Sequence, residues 1–320
     1  MTKTEPQHTS AVDRVTRIFK AKHGFSRDIA LRARDQFGDK WERAFAETID
    51  TLYADEAALE AAVSGYAAFA MDSMRRQKKF EVTREYEHKT HAETSQAVYF
   101  NEKHMLGQYL PGLLLSHYLW PHQYRQLRFF RNNFVASMKK EKKGVGSIFA
   151  ENKNGSDPFF PFAEVGIGTG LYSRIILQDI PDISGAGFDI SEHSRAFTEN
   201  HLRAFGVDDR YTIRLGDIRE NTPGNEFPWL VCVEVLEHLE DPAAFLKTLR
   251  KMLAPGGRAF ITAALNAADE DHIYLYTDTA QIIEQLTGAG FFVEQSFYNA
   301  AYLPASAGLP VPAVAAFIVT

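Results

Sequence analysis

The first half of the chain shows a helical pattern of hydrophobic and polar positions. Between residues 12 and 74, apolar residues recur three or four positions apart, as in Val12, Val15 and Ile18, with charged residues between them. Residues spaced in this way lie on one face of a helix, so the pattern predicts amphipathic helices that each bury one side. We therefore expect the first half of the chain to be all-α.

Two stretches after these helices have a less regular pattern. Residues 82–101 are polar and aromatic without a firm period, which is compatible with a lid or a connector. Residues 104–138 are rich in aromatic side chains, and Pro111 and Pro121 are expected to break them into short helices. The run 113–120 is too apolar to stay in water, so it must pack against another part of the protein.

A change of composition marks the expected domain boundary. Residues 139–143 read KKEKK, and the polar run NKNGSD follows at 152–157. Charge runs and stretches rich in glycine and asparagine are typical of solvated linkers. The sequence thus predicts a helical domain over residues 1–150 and a second domain over residues 151–320.

Beyond this boundary, short apolar runs alternate with helical patterns. Strands are predicted near Phe162 and over 186–190, 211–215, 229–235, 258–263, 291–297 and 313–319, and helices from Leu171 and over 192–205, 242–253 and 279–288. The alternation predicts an α/β fold with a Rossmann-like, doubly wound and mostly parallel sheet of seven strands. Ligands of such sheets bind at the carboxyl ends of the strands.

Composition and charge narrow the classes of function. The 320 residues carry a formal net charge of -6, so a chain-wide basic surface for nucleic acid is excluded and such a partner is not expected. No apolar run reaches the length of a membrane span, and the first residues lack the apolar core of a signal peptide. We expect a cytoplasmic protein with no membrane partner. The lone cysteine, Cys232, lies in an apolar run and is expected to be buried and inert.

The stretch 162–171, FAEVGIGTGL, is the strongest candidate for a ligand-binding turn. An apolar run is followed by Gly166, Gly168 and Gly170 and then by a helical pattern, which predicts a strand, a tight turn and a helix. Glycine lets the backbone turn sharply and approach a ligand closely. The dinucleotide fingerprint GxGxxG is absent, because a leucine occupies the place of its third glycine. Glu164, two residues before the first glycine, can face a cationic group.

Acidic residues follow the next two strands. Asp189 comes 19 residues after Gly170, where an acidic side chain accepts ribose hydroxyl groups in doubly wound folds. A nucleoside ligand is therefore expected. Asp217 and Ile218 come directly after the third predicted strand, so the carboxylate can take an adenine amino group while the isoleucine covers the ring.

The motifs EVGIGTG, FDIS, GDI, VEVLEHLEDP and LAPGG, in this order and at these spacings, resemble those of the class I S-adenosylmethionine-dependent methyltransferases. The resemblance covers the chain from residue 160 to its C-terminus and is to the members that act on small molecules. It implies S-adenosylmethionine as cofactor. In that family the glycine turn holds the methionine part of the cofactor, the acid after the second strand holds the ribose, and the acid after the third lies at adenine.

This resemblance assigns cofactor contacts to particular residues of the chain. The assigned residues are Glu164, Gly166, Gly168, Gly170, Asp189, Ile190, Asp217 and Ile218. Glu234, at the end of the fourth predicted strand, would face the methionine end of the cofactor or the substrate.

Glu234, Glu237 and His238 form an ExxEH arrangement. It looks like the divalent-metal ligands of ubiquinone-pathway O-methyltransferases and of small-RNA 2′-O-methyltransferases. Positions i, i+3 and i+4 share one face of a helix, so three ligands for one ion are feasible. The same residues are common in metal-independent members, where they orient the loop, and a metal is therefore not favoured. Glu234 and His238 remain candidates for a catalytic role.

The loop at 271–278, DHIYLYTD, opens at the ligand edge of the predicted sheet. His272 and Tyr274 are therefore candidates to touch the acceptor of the methyl group. His272 is also a candidate general base. The alternative for this histidine is a packing role beside its apolar neighbours.

The helical half is expected to cover the acceptor pocket, because aromatic side chains suit a small-molecule site. Its candidate contacts are Tyr99, Tyr109, His117 and Tyr124. The same aromatic surface can instead form a homodimer interface. If it forms the cover, a protein without residues 1–150 should bind the cofactor weakly and methylate nothing, because the acceptor is no longer oriented.

The leading hypothesis is transfer of a methyl group from S-adenosylmethionine to a small metabolite at oxygen, nitrogen or carbon. One alternative is an RNA methyltransferase that uses a divalent metal at the ExxEH motif. A second is a cofactor-binding partner protein without catalysis. Binding to RNA would depend strongly on salt, whereas binding of a metabolite in a pocket would not.

Overall fold

A computed structural model describes residues 9–144, 161–304 and 309–320 of the chain. Over the described part of the first half, every regular element is a helix. The α-helices are α1 (Ala11–Lys22), α2 (Ile29–Phe37), α3 (Asp39–Leu52), α4 (Glu56–Thr83), α5 (His91–Thr94), α6 (Glu102–His104), α7 (Leu110–Leu119), α8 (Pro121–Phe129) and α9 (Ala136–Gly144). The all-α first half that the periodicity predicts is confirmed.

The longest of these helices, α4, organises the helical half. It begins after Asp55, whose carboxylate accepts the backbone N–H groups of Ala57 and Ala58 at 3.0 Å. It ends where Arg84 takes a left-handed φ of 56°. The apolar helix α7 packs along α4, so the run 113–120 is covered within the chain. None of the helices in the described ranges is long and apolar enough to cross a membrane.

Three π-helical segments lie in the stretches where the sequence shows no firm period. They span Ser95–Tyr99, Met105–Tyr109 and Phe130–Val135. A π-helical turn contains more residues than an α-helical one, so apolar positions fall out of the 3.6-residue repeat. Pro121 begins α8 after Trp120, whose extended ψ of 120° separates α7 from α8, as the sequence predicts. Pro111 does not break the helix, because the π-helical segment Met105–Tyr109 continues directly into α7.

The second half contains a seven-stranded sheet. The strands are β1 (Pro161–Val165), β2 (Ser184–Asp189), β3 (Tyr211–Leu215), β4 (Phe227–Cys232), β5 (Leu253–Leu265), β6 (Val293–Ala300) and β7 (Ala313–Val319). Their order across the sheet is β3-β2-β1-β4-β5-β7-β6. Strands β1 to β5 pair in parallel, whereas β7 runs antiparallel to both β5 and β6. The predicted doubly wound, mostly parallel sheet is confirmed.

Helices cover both faces of this sheet. The helices of the second half are α10 (Leu171–Asp179), α11 (Glu192–Ala204), α12 (Pro242–Met252) and α13 (Thr279–Gly288). Successive residues of β4 point to opposite faces, so Trp229 packs with α10, α11 and the helical half, while Leu230 packs with α12 and α13. The helical half therefore completes one layer of the fold.

The helical half and the sheet share one hydrophobic core. Phe134 lies edge-on to Trp229 at 5.3 Å between ring centroids and contacts Phe260 at 5.8 Å. Phe129 stacks on Phe297 at 5.1 Å. Removal of residues 1–150 would uncover this apolar sheet face, so the truncated protein is not expected to fold as an isolated cofactor-binding domain.

The structure corrects the interpretation of residues 139–143 as a solvated linker. These residues belong to α9, and two of their charged side chains have partners in the second half of the chain. The Lys139 Nζ lies 3.1 Å from the carboxylate of Asp179, and Glu141 pairs with Arg258. A charge run can form a helix when such partners are present. The predicted boundary at residue 150 lies outside the described residues.

Replacing Phe134 by alanine should lower the free energy of unfolding by about 3 to 5 kcal/mol, the usual effect of removing a fully buried phenylalanine. Phe134 has no exposed surface and joins the two halves of the chain. Urea denaturation checks this, with Phe292→Ala as control because that side chain is 69% exposed. Equal losses in the two variants would contradict the shared core.

Candidate functional site

A cavity of about 560 Å³ opens at the carboxyl edge of the sheet. The ends of β1, β2 and β4 border it from one side, and α7 and the π-helical segments of the helical half border it from the other. The cavity therefore lies where doubly wound sheets bind their ligands. Most of the residues that the sequence assigns to the site border it.

The three glycines of the turn after β1 serve different purposes. All have positive φ, at 74° for Gly166, 49° for Gly168 and 71° for Gly170. A Cβ atom would lie 2.5 Å from a valine methyl at Gly166 and 2.6 Å from a threonine methyl at Gly170. Neighbouring side chains therefore leave no room for a side chain at either position. At Gly168 the nearest atom is the Cδ2 of Leu113, at 3.5 Å. Gly168 is therefore the glycine that leaves room for a ligand.

Glu164 is buried at the cavity wall and ties β1 to α10. Its Oε2 accepts the backbone N–H of Ser173 at 3.0 Å and also the Ser173 hydroxyl. Burial raises the pKa of Glu164 to about 8, although the hydrogen bonds from Ser173 oppose this change. A contact between Glu164 and the cofactor stays a prediction.

Asp189 lies at the end of β2 and is held by backbone groups. Its carboxylate accepts the N–H of Gly168 at 3.3 Å and that of Ser191 at 2.8 Å. Burial raises the pKa of Asp189 to about 6, so the carboxylate is ionised at neutral pH. An ionised carboxylate at this position can accept hydrogen bonds from the hydroxyl groups of a ribose. Ile190 is half-buried at the same wall of the cavity.

Asp217 and Ile218 follow β3 and border the same end of the cavity. The Nε of Arg219 donates to the two oxygens of Asp217 at 3.0 and 2.9 Å. Although burial works against it, this arginine holds the pKa of Asp217 below its usual range. Ile218 is buried and offers an apolar surface, as the predicted adenine contact requires.

His91 also borders the cavity, and the sequence analysis did not select it. Burial and the charge of Arg219 lower its pKa, whereas the charge of Asp217 raises it. His91 is the first residue of α5. Thr90 and Glu93 form a capping box at this helix start. This T-x-x-E pattern was a signal that could have located an ordered element where the sequence suggested a lid or connector.

Glu234 lies just beyond β4, which ends at Cys232 rather than at residue 235 as predicted. The strand stops because Glu234 has a left-handed φ of 51°, which is rare for a residue with a side chain. Its Oε1 accepts the hydroxyl of Thr262 at 2.7 Å. Burial raises the pKa of Glu234 to about 7, and hydrogen bonds from Thr262, Gln123 and Gln126 oppose the rise. Glu234 thus links the sheet edge to α8.

Asp271 is the centre of a second polar cluster, and sequence reasoning did not select it. It is 1% exposed, and its Oδ2 accepts the hydroxyls of Tyr99 at 2.9 Å and Tyr109 at 2.6 Å. The same oxygen lies 3.3 Å from the Nδ1 of His238. The acidic run DED at 269–271, in the loop that follows the predicted fifth strand, was a sequence signal that could have identified it. The structure thus brings two substrate candidates and one catalytic candidate together.

His238 and His272 lie next to each other in this cluster, with ring centroids 5.0 Å apart. The Nδ1 of His238 lies 3.1 Å from the carbonyl of Asp271, and that of His272 lies 2.9 Å from the carbonyl of Ala267. A carbonyl can only accept, so each Nδ1 carries the proton. The Nε2 atom of each neutral ring keeps its lone pair and can accept a proton or bind a cation.

The structure groups the potential metal ligands differently from the sequence. Glu237, His238 and His272 offer ligand atoms within 4.8 Å of one another. His272 takes the place that the ExxEH pattern gives to Glu234. The Oε2 of Glu237 is buried without a hydrogen-bond partner, and burial holds the pKa of this carboxyl well above its usual range.

Two predicted substrate contacts do not lie at the cavity. Tyr124 packs against Phe37 at 4.7 Å, because its face of α8 turns towards α2. The hydroxyl of Tyr274 accepts the side-chain N–H of Gln285 at 2.9 Å, which directs this side chain towards α13. His117 does border the cavity.

The residues present fit S-adenosylmethionine. Gly168 borders the cavity at the turn, and the carboxylate of Asp189 borders it one strand away. Ile218 adds an apolar surface beyond them. The spatial order of the glycine turn, the carboxylate and the apolar surface suits a ligand with a polar chain, a ribose and a base.

Comparisons with known proteins agree with this arrangement. Residues 163–259 match the family model described as a methyltransferase domain. The ubiquinone biosynthesis O-methyltransferase of Pseudomonas paraeruginosa is 29% identical over 124 residues, which is 38% of this chain and 52% of that protein. The enzyme of the same name from Pseudomonas entomophila is 31% identical over 100 residues, or 31% of this chain and 42% of that protein. The chain thus spans about half the length of the curated relatives it matches.

Among solved structures, a SAM-dependent methyltransferase from Geobacter sulfurreducens in complex with S-adenosyl-L-homocysteine is 14% identical. The match covers 58% of this chain and 89% of that chain, with a TM-score of 0.40. The family match rests instead on the sequence of the sheet domain. The match shows a methyltransferase domain within the sheet half of the chain, and this domain is similar to the S-adenosylmethionine-dependent methyltransferases, whose cofactor is S-adenosylmethionine.

Proposed function

We propose that the protein transfers a methyl group from S-adenosylmethionine to a small metabolite held between the sheet edge and the helical half. The observation that carries this proposal is the contact of Tyr99 and Tyr109 with Asp271, which closes the helical half over the cavity. The cavity of about 560 Å³ has the size of a small-molecule site. A covered site excludes water and orients the acceptor, which methyl transfer requires.

In this proposal, the residues at the ends of β1, β2 and β3 hold the cofactor. Gly168 leaves room for its chain, Asp189 accepts its ribose hydroxyls, and Ile218 covers its base. The cofactor supplies an electrophilic methyl group. The acceptor then lies at the polar cluster around Asp271, and the Nε2 of His272 or His238 removes its proton.

The experiment that tests this function uses isotopically labelled S-adenosylmethionine and the full chain with a metabolite extract. A labelled small molecule found by mass spectrometry would support the proposal and identify the acceptor. Tight binding of the cofactor without any labelled product, over a broad range of extracts, would favour a partner protein without catalysis.

The group of Glu237, His238 and His272 is the one observation that favours an RNA methyltransferase with a divalent metal. Such an enzyme should label RNA, lose affinity steeply as salt rises, and stop when a chelator is added. The metabolite enzyme should keep its substrate affinity as salt rises. Labelling of RNA in the same extract would overturn the metabolite proposal.

Replacing Asp189 by alanine should weaken cofactor binding by about 10-fold to 100-fold, because hydrogen bonds to a charged group contribute roughly 1.5 to 3 kcal/mol. Calorimetry with S-adenosylhomocysteine measures the effect. Asp208→Ala is the matched control, since Asp208 lies in the turn after α11 and faces Arg203 at 3.7 Å. Equal affinity of the two variants would remove Asp189 from the site.

A further inference from the structure

Two neighbouring carboxylates border the acceptor side of the cavity without a cation. Asp269 and Asp271 lie in the loop after β5, and both line the cavity wall. Of the two arginines that border the cavity, Arg219 pairs with Asp217 and Arg32 is an exposed residue of α2. Within the described ranges, neither Asp269 nor Asp271 forms an ion pair with a lysine or an arginine. Charges that are removed from water are normally paired, so a cation is missing from this wall.

One oxygen of this pair has no hydrogen-bond partner. Asp269 accepts the hydroxyl of Ser73 at 3.2 and 3.1 Å and the backbone N–H of Glu270 at 3.1 Å. The two tyrosine hydroxyls of the cover and the ring of His238 all approach the Oδ2 of Asp271. The Oδ1 of Asp271 is buried and has no partner. Such an oxygen is unfavourable in a folded protein, so we expect a donor that enters the cavity to supply the missing bond.

Aromatic rings adjoin the two carboxylates. Phe69 lies one turn before Ser73 on α4, and its ring is edge-on to that of Tyr109 at 5.9 Å between centroids. Trp120 stacks on Phe69 at 5.6 Å, and both side chains border the cavity. Ser73 and Tyr109 each donate to one of the two carboxylates. The aromatic wall and the carboxylates therefore belong to one continuous surface of the cavity.

Carboxylates beside aromatic rings match an amine that binds as its ammonium ion. An ammonium N–H group would supply the partner that the Oδ1 of Asp271 lacks, and its charge would offset the two carboxylates. The rings of Phe69 and Trp120 attract a cation and also suit an apolar body. An alcohol or phenol would supply one donor but would leave both carboxylates without a cation. The surface therefore favours an amine over a hydroxyl compound.

We propose that the acceptor is an amine with an apolar body, methylated at the nitrogen that Asp269 and Asp271 bind. The inference rests on the proposed function and names the class of its acceptor. Phe69 and Trp120 contact the apolar body, so the helical half selects the acceptor as well as covering it.

The proton and electron balance of this reaction fits the residues present. A bound ammonium must lose one proton before its nitrogen is a nucleophile, and the Nε2 of His272 takes that proton. The nitrogen lone pair then attacks the methyl carbon. The N–C bond forms as the S–C bond breaks, and the electron pair of the S–C bond goes to sulfur. The products are S-adenosylhomocysteine and a methylated ammonium ion, so a cation remains beside the two carboxylates after the transfer.

The first test determines the charge of the product and the atom that is methylated. The full chain is incubated with labelled S-adenosylmethionine and a metabolite extract, with a chelator present, and the products are separated on a cation exchanger at neutral pH. A labelled product should bind to the exchanger, and its fragmentation in the mass spectrometer should place the label on nitrogen. A label on oxygen or carbon, with or without a need for a divalent cation, would overturn the inference and leave the proposed function intact. Absence of any labelled small molecule would overturn both.

The second test uses two probes of the same shape. Phenethylamine carries an ammonium group, and phenethyl alcohol is its neutral counterpart. In calorimetry with S-adenosylhomocysteine present, the wild type should prefer the amine by about tenfold or more, as expected for hydrogen bonds to a charged group. Asp269→Asn should remove most of this preference and should bind S-adenosylhomocysteine like the wild type, because the change lies on the acceptor side of the cavity.

Asp241→Asn is the matched control and should keep the wild-type preference. Asp241 caps α12 by accepting the N–H of Ala244 at 2.9 Å, and it lies outside the lining of the cavity. Thermal unfolding verifies that each variant is folded, and the wild-type comparison of the two probes decides the question if Asp269→Asn is not. Equal affinity of the wild type for the two probes, or an unchanged preference in a folded Asp269→Asn protein, would overturn the inference. Either result would leave the proposed function intact as long as a small molecule is labelled.

Discussion

Replacing Gly168 by valine should abolish measurable binding of S-adenosylhomocysteine. The backbone at Gly168 has a φ of 49°, which a β-branched residue adopts only under strain. An added Cβ would already contact the Cδ2 of Leu113 at 3.5 Å, so the two methyl groups of valine would crowd the part of the cavity between Gly168 and Leu113, where we propose that the cofactor lies. We expect the dissociation constant to rise by more than about 100-fold, a loss of roughly 3 kcal/mol.

Gly206→Val separates loss of space from backbone strain. Gly206 has a φ of 64° and no atom within 4 Å of an added Cβ, and it lies in the turn after α11. The two variants should lose similar stability in a thermal melt, yet Gly206→Val should bind the ligand like the wild type. Wild-type affinity in a folded Gly168→Val protein would show that the cofactor does not pass over this turn.

The sheet was predictable because its strands carry strong local signals. Residues 313–319 form one apolar run, as expected of a strand covered on both faces, and all seven residues are buried in β7. The glycine turn and the acids after β2 and β3 each follow a strand at once. Since parallel strands place their carboxyl ends along one edge, these local signals were sufficient to predict that the glycine turn and both acids border the same cavity.

The helical half was less predictable because its decisive features depend on distant contacts. The π-helical segment Ser95–Tyr99 disturbs the apolar period of residues 82–101, where a lid or connector was expected, and the part of this stretch from His91 to Tyr99 is helical. The charges of residues 139–143 suggested a linker, and only the positions of Asp179 and Arg258 explain why they form a helix. Neither partner can be identified from the local sequence.

The polar cluster around Asp271 was also hard to predict, because its contacts join residues that are far apart in the sequence. Asp271 becomes its centre through Tyr99 and Tyr109, which are 172 and 162 positions away in the chain. Tyr99 and Tyr124 looked equivalent as aromatic candidates, yet only Tyr99 borders the cavity, because Tyr124 faces the interior of the helical half. Composition identifies aromatic candidates, whereas the direction of each side chain follows from how the helices pack.

Replacing Asp271 by asparagine should reduce turnover by about 100-fold or more, the usual contribution of a general base and its orienting partner. Asparagine keeps the shape of the side chain, so the main change is loss of the negative charge beside His238 and His272. Tyr99 and Tyr109 would then donate to a neutral oxygen, which weakens the contact that closes the cover. Steady-state assays with the acceptor identified by labelling would measure the loss.

The pH dependence distinguishes this role from a structural one. Burial lowers the pKa of His238, whereas the charges of Asp271 and Asp269 raise it and His272 lowers it. The pKa of His272 is likewise lowered by burial and raised by Asp271. Asp271→Asn removes the raising charge, so the pKa of each histidine should fall further. A base that is neutral above its pKa then stays neutral to lower pH, and the acid limb of the kcat profile should move to lower pH.

Asp278→Asn is the matched control for this prediction, because it makes the same change in the same loop but away from the cavity. The Oδ1 of Asp278 accepts the N–H of Gln281 at 3.1 Å to cap α13, and asparagine caps a helix equally well. This variant should keep both its turnover and its pH profile. A folded Asp271→Asn protein that loses turnover without any movement of the acid limb would show that Asp271 only holds the cover in place. Since its carboxylate joins the hydroxyls of the cover to the histidines of the sheet edge, we expect both effects together.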